Sequence, residues 1–79
     1  MPTVLLFGPA RDVAGGAPRA DLAGSTVKDV LADGSARFGP AFAALCGRAK
    51  VWVNGEPADE GTPVGSADEV AILPPVSGG

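Results

Sequence analysis

Three short apolar runs, Thr3-Val4-Leu5-Leu6-Phe7, Lys50-Val51-Trp52-Val53 and Glu69-Val70-Ala71-Ile72-Leu73, restrict what this chain can become. Each has the length and the β-branched or aromatic content of a strand, and each is apolar at both odd and even positions. Strand side chains alternate between faces. Val4, Leu6, Val51, Val53, Val70 and Ile72 therefore share one face, and Leu5, Phe7, Trp52, Ala71 and Leu73 share the other. A sheet that is apolar on both sides needs two covers, and the sequence offers one principal helix. Val27, Val30 and Leu31 recur at i, i+3, i+4 behind Thr26 as N-cap, with Asp29 at the third helical position. The second face is then either covered by loops or an unforeseen helix, or it is a contiguous apolar patch that marks a partner site.

The remaining segments are shorter. Gly8-Pro9 closes the first strand, Arg11 to Gly16 reads as a turn-rich connection, and Ala17 to Leu22 as a weaker strand given edge character by Pro18. Gly34 disfavours helix by about 1 kcal/mol relative to alanine, which predicts a helix that weakens or ends between Gly34 and Phe38. A second helical turn starts near Pro40 and runs through Phe42, Leu45 and Cys46 to Gly47. Asn54-Gly55 is the dipeptide favoured by a type I′ turn, after which Glu56-Pro57-Ala58 returns as a brief strand, followed by a loop from Asp59 to Asp68. The order β-β-α-β-β-β predicts an α+β fold, a mixed sheet with the helix on one face.

Composition narrows the function. Seventy-nine residues allow one domain with a small core. The net charge is −3 and the six basic residues are scattered, which argues against nucleic acid and suits docking on a basic protein surface. With no histidine, one cysteine and no tyrosine, the chain lacks the usual general bases, a zinc-ligand cluster and an intramolecular disulfide, so catalysis by the chain alone is not expected. No apolar run reaches the ~20 residues of a membrane span, and Met1-Pro2-Thr3 does not begin a secretory signal, so a cytoplasmic protein without membrane contact is expected.

Directly after the last strand comes Pro74-Pro75-Val76-Ser77-Gly78-Gly79. Two prolines fix φ and withdraw two backbone donors, which discourages further strand pairing. Two glycines, lacking Cβ, fit a channel too narrow for other residues. The expected organisation is a domain over residues 1–73 and a projecting tail over 74–79. Extended, the tail reaches about 20 Å at roughly 3.3 Å per residue, enough to enter a partner's active site. The alternative is a frayed terminus.

Val4-Leu5-Leu6-Phe7 with Ala10-Arg11-Asp12, Val53-Asn54-Gly55-Glu56, and Asp68-Glu69-Val70-Ala71-Ile72-Leu73-Pro74-Pro75-Val76-Ser77-Gly78-Gly79 occur in an order that resembles the ubiquitin-like sulfur carrier family. The likeness is greatest to small subunits of molybdopterin synthase; Thr26-Val27 adds a weaker point. Two positions depart from the family pattern, Ala67 where glycine is usual and Gly34 where leucine is usual.

The resemblance implies a β-grasp fold and chemistry at Gly79. An adenylating enzyme of the ubiquitin-activating type would use ATP to form a glycyl adenylate, and a sulfur donor protein would convert it to a thiocarboxylate, the thioglycine form of Gly79. A larger catalytic synthase subunit would receive the tail; no tightly bound cofactor belongs to the carrier itself. Gly79 would react and Gly78 would give clearance. Phe7, Arg11, Trp52, Leu73, Pro75, Val76 and Ser77 are the expected docking residues. Each has a plainer reading: Phe7 as core, Arg11 as a solvated cation, Trp52 as a half-buried sheet residue. Asp68 and Glu69 read as turn-shaping, and Cys46 as a small buried hydrophobe. Sulfur carriers serving thiamine, cysteine or another metabolite, and ubiquitin-like modifiers that form isopeptide bonds, share the same features.

Overall fold

The last strand in sequence is the middle of the sheet. In the computed structural model, which describes residues 1–73, β1 (Thr3–Leu6) and β5 (Glu69–Leu73) pair in parallel, while β3 (Lys50–Val53) pairs with the other edge of β5 antiparallel. The edge strands β2 (Arg19–Asp21) and β4 (Glu56–Ala58) complete the order β2-β1-β5-β3-β4. A parallel pair cannot be joined by a tight turn, and the chain between β1 and β5 holds the other three strands together with α1 (Pro9–Val13), α2 (Val27–Phe38) and α3 (Pro40–Cys46). Val4, Leu6, Val70 and Ile72 point into a core with Val27, Val30, Phe42 and Leu45, and Val51 and Val53 pack against its rim. The alternation expected from the sequence therefore holds across all three central strands.

Three local expectations are corrected. The segment read as a turn-rich connection contains α1, which starts with proline in its first turn and buries Ala10, with Ala14 buried just beyond it. The second strand is shorter than expected, Arg19–Asp21. Its exposed edge is partly covered, because Arg37 Nη1 donates to the Asp21 carbonyl at 3.3 Å while its Nε pairs with Asp33 at 3.0 Å. Finally, α2 runs unbroken through Gly34 to Phe38. Gly34 is buried there, and a Cβ on it would lie 2.5 Å from Phe42 Cε1 and 3.1 Å from Leu22 Cδ1. The glycine is a close-packing site: the fully buried Phe42 ring of α3 fills the space that a side chain at position 34 would take.

The β3–β4 connection is the expected tight turn, with positive φ at Asn54 (51°) and Gly55 (82°) between the paired Val53 and Glu56. Asn54 also fastens the start of β5. Its backbone N–H donates to the Glu69 carbonyl at 2.9 Å, its Oδ1 accepts from Glu69 N–H at 2.9 Å, and its Nδ2 donates to Asp68 Oδ1 at 2.9 Å. Asp68 Oδ2 in turn accepts from Gly65 N–H at 2.7 Å. Asp68 thus shapes a turn, as expected, and does so at Ala67 without the glycine of the family pattern: the carboxylate, held by Asn54 and Gly65, sets the bend.

Gly34→Ala gains helix propensity of about 1 kcal/mol but drives a methyl into a packed ring, an overpacking penalty of about 1–3 kcal/mol. The expected net result in urea denaturation is a lower midpoint, recovered when Phe42→Leu is added; a rise in midpoint for Gly34→Ala alone would contradict the packing role. Asp68 gives a pH signature. Hydrogen bonds from the Asn54 amide and then from Gly65 N–H hold its carboxyl below its ordinary value. A depressed folded-state pKa contributes stability above the unfolded-state pKa, near 3.9, that is lost as pH falls through the lower folded value. Asp68→Asn is expected to flatten the acid limb of stability below about pH 4; an unchanged limb would show that the clasp does not select the ionised form.

Candidate functional site

The sheet face turned away from the helices is built by register. Leu5 of β1 pairs with Ala71 of β5, Ala71 with Trp52 of β3, and Trp52 with Pro57 of β4. One row of aliphatic and aromatic side chains thus crosses four strands, and Arg19, paired with Leu5, closes it on β2. Two residue pairs further along, on the same face, Leu73 lies opposite Lys50. Leu5, Trp52, Ala71 and Leu73 are half-buried, as expected for a face whose side chains shield only one another. No helix or loop among the described residues removes them from solvent as the inner face is removed.

Phe7 extends this surface. It follows Leu6, whose partner is Ile72, and so stands at the same end of the sheet as Leu73. It remains 44% exposed, which removes the plain core reading. Arg11, on the exposed side of α1, donates from Nε to the Gly16 carbonyl at 3.2 Å, so its guanidinium closes the turn after α1 as well as carrying charge. Phe7, Leu73 and Lys50 thereby gather where the chain leaves β5, and α1 begins two residues after Phe7. Sequence reasoning named Phe7, Trp52 and Leu73 as docking residues and did not name Lys50, Pro57 or Arg19. Those three enter only through strand register, which no single run displays. Pro75, Val76, Ser77, Gly78 and Gly79, and with them the expected tail over 74–79, lie outside the described residues.

Other places that could carry chemistry do not. Cys46 is half-buried beside an open groove with Leu31, Val51 and Ala58, and burial pushes its thiol pKa up to about 11. It is a protonated, poorly nucleophilic thiol at neutral pH, in line with its reading as a small hydrophobe. The N-terminus of α2 has no free donors to offer an anion. Val27 N–H donates to Thr62 O at 3.0 Å, Lys28 N–H to Glu60 O at 2.9 Å and Asp29 N–H to Thr26 Oγ1 at 3.2 Å. Among the described residues no cluster of three or more metal-ligating side chains occurs, and no helix is long and apolar enough to cross a membrane.

Comparison with known proteins agrees with this architecture. The solved CysO in the BexX/CysO complex of Amycolatopsis orientalis is similar over 100% of this chain and 100% of its own, with 27% identity and a TM-score of 0.84. Small archaeal modifier protein 1 of Methanosarcina acetivorans is 32% identical over 98% of this chain and 94% of its own, with a TM-score of 0.84. A chain from the complex of subunits 1 and 2 of molybdopterin-converting factor of Helicobacter pylori shares the fold, at 23% identity, 98% and 96% coverage and a TM-score of 0.68. The ThiS family matches residues 4–79. With a β-grasp sheet, this order of segments and a match over nearly its whole length, the chain belongs to the ThiS family of ubiquitin-like sulfur carriers.

Proposed function

We propose that this protein carries sulfur as a thiocarboxylate on Gly79 and delivers it inside a larger partner, as the small subunit of a molybdopterin synthase. The observation that carries the reading is spatial: the apolar face from Leu5 to Pro57 leads, through Leu73 and Phe7, to the point where the chain departs toward Gly79. A partner seated on that face receives whatever the C-terminus bears. The molybdopterin assignment rests on the Pro-Pro-Val-Ser-Gly-Gly sequence after β5.

The chemistry requires two partners. A carboxylate is a poor electrophile, so an adenylating enzyme first joins a Gly79 oxygen to the α-phosphorus of ATP, with pyrophosphate leaving. Hydrosulfide, the species that a sulfur donor protein must deliver, then attacks the Gly79 carbonyl: the C–S bond forms, the hydrosulfide proton passes to water, and AMP leaves with the electron pair of the broken C–O bond. The thiocarboxylate stays ionised at neutral pH and is more nucleophilic than a carboxylate, by the same logic that makes thiolates reactive. The carrier contributes no general base. It contributes a docking face and a narrow terminus, and it is a group carrier in the sense that the arm holds the reactive atom.

A second reading has its own support. The likeness to CysO and to a small archaeal modifier protein points to sulfur delivery in another pathway or to attachment on other proteins. Activation of Gly79 is common to all three; only the acceptor differs.

Intact-mass spectrometry after incubation with an adenylating enzyme, ATP and a sulfur source is expected to show replacement of one oxygen by sulfur in the full chain and none in a variant lacking Gly79. No shift with a demonstrably active enzyme removes the carrier reading for that enzyme. Mixing the loaded chain with a synthase large subunit and pterin precursor, or probing cell extracts for higher-mass conjugates, then separates the acceptors. The docking face has an independent measure. Trp52→Ala is expected to weaken binding to the adenylating enzyme or the large subunit by about 2 kcal/mol, roughly thirtyfold in Kd, with the fold intact by circular dichroism. Unchanged affinity would place the interface elsewhere.

A further inference from the structure

Asn54-Gly55 is an asparagine followed by the one residue that leaves its own amide nitrogen sterically open, and it sits in an exposed turn. In such a pair the glycine nitrogen can attack the asparagine Cγ. The N–Cγ bond forms and the Cγ–Nδ2 bond breaks. The side-chain amino group leaves as ammonia, taking up the proton from the glycine nitrogen. Water then opens the cyclic imide to aspartate or to isoaspartate, with no oxidant or reductant involved. The attack requires the side chain to turn back along its own main chain. Here the side chain is committed elsewhere: Oδ1 accepts from Glu69 N–H and Nδ2 donates to Asp68, each at 2.9 Å.

We propose that Asn54 is a deamidation site whose reaction is held in check by its clasp to Asp68 and Glu69. The clasp is the device that separates this asparagine from a free Asn-Gly peptide, because both polar atoms of the amide must leave their partners before Cγ can meet the Gly55 nitrogen. The product cannot remake the clasp. A carboxylate at position 54 presents an oxygen to Asp68 Oδ1 where a donor stood, so a hydrogen bond is replaced by two like charges. The isoaspartate form also lengthens the main chain between Val53 and Glu56, which are paired across the turn. Either product loosens the start of β5, the strand that leads to the C-terminus. Deamidation is therefore a one-way modification that acts on the start of β5, at the end of the strand remote from Leu73, without touching Gly79. It does not depend on the identity of the sulfur acceptor.

The test is peptide mapping of the full chain during incubation at mildly alkaline pH, reading conversion of residue 54 and the isoaspartate fraction. A free peptide spanning Val53 to Glu56 is the unprotected reference. Wild type is expected to convert more slowly than the peptide, and Asp68→Ala to convert roughly tenfold faster than wild type, the rate equivalent of one lost hydrogen bond. Equal rates in wild type and peptide, or in wild type and a folded Asp68→Ala, would overturn the proposal. Should Asp68→Ala fail to fold, the product is mimicked directly. Asn54→Asp is expected to lower the denaturation midpoint, and Asn54→Asp with Asp68→Asn, which swaps donor and acceptor across the same contact, to restore most of it. An additive double variant would show that the two side chains are not coupled and would equally overturn the proposal.

Discussion

The pairing of β5 with both β1 and β3 is the constraint on which the rest depends. The C-terminal strand is not an edge added last but the middle of the sheet, hydrogen-bonded along both sides. Its inner residues, Val70 and Ile72, are fully buried in the core, and its outer residues, Ala71 and Leu73, belong to the half-buried outer row. A segment leaving an edge strand would be positioned by one ladder that frays easily. Here the chain leaves β5 just past Ile72, which is fully buried and paired on both sides, and Leu73, which is paired with Lys50.

Between the parallel neighbours β1 and β5 the chain places three helices, and the buried residues of all three join one core. Connecting parallel neighbours sends the chain over the inner face, and the glycine at position 34 lets two of those helices close on each other. Phe42 then reaches into the space beside Leu22 and completes the core from α3. Among the described residues, all the helical cover lies on that face. The other is left with a row of side chains protected only by their neighbours, which is an unfavourable surface for an isolated protein and a favourable one for a protein that works docked.

Much of this was legible in the residues. Period-two alternation assigned the faces correctly in β1, β3 and β5, because each run is bounded by clear turn signals and its apolar residues fall on both faces. The Asn54-Gly55 turn and the Thr26 cap were legible because each depends on local chemistry alone, and Asp29 N–H does donate to the Thr26 hydroxyl at 3.2 Å. What failed were features set by partners distant in sequence. Gly34 reads as a helix breaker until Phe42 is known to lie against it. The five-residue α1 is too short to show a period, and its buried alanines carry little hydrophobic signal. The contributions of Lys50, Pro57 and Arg19 to the docking face appear only once strand register is fixed. The link between Asn54 and Asp68 joins two segments that carry the family resemblance, and no local rule connects residues fourteen apart.

Charge gives the surface a direction. The acids Asp21, Asp68 and Glu69 cluster at the start of β5 and the facing end of β2, where Thr3 pairs with both Asp21 and Glu69. Lys50 stands at the opposite end of the face, level with Leu73. Apolar contact across Leu5, Ala71, Trp52 and Pro57 has no preferred orientation of its own, since burial is non-directional. An acidic pole at one end and a cation beside the chain's exit at the other supply what the apolar row lacks. Such a charge asymmetry acts on a docked protein through orientation and encounter rate more than through affinity. If Gly79 carries the sulfur, as proposed, a seated carrier must present its exit end toward the reaction centre, because six extended residues reach about 20 Å, less than the 31 Å length of the molecule. A reversed docking would leave Gly79 short of any site, so for a carrier of these dimensions orientation is a condition of function.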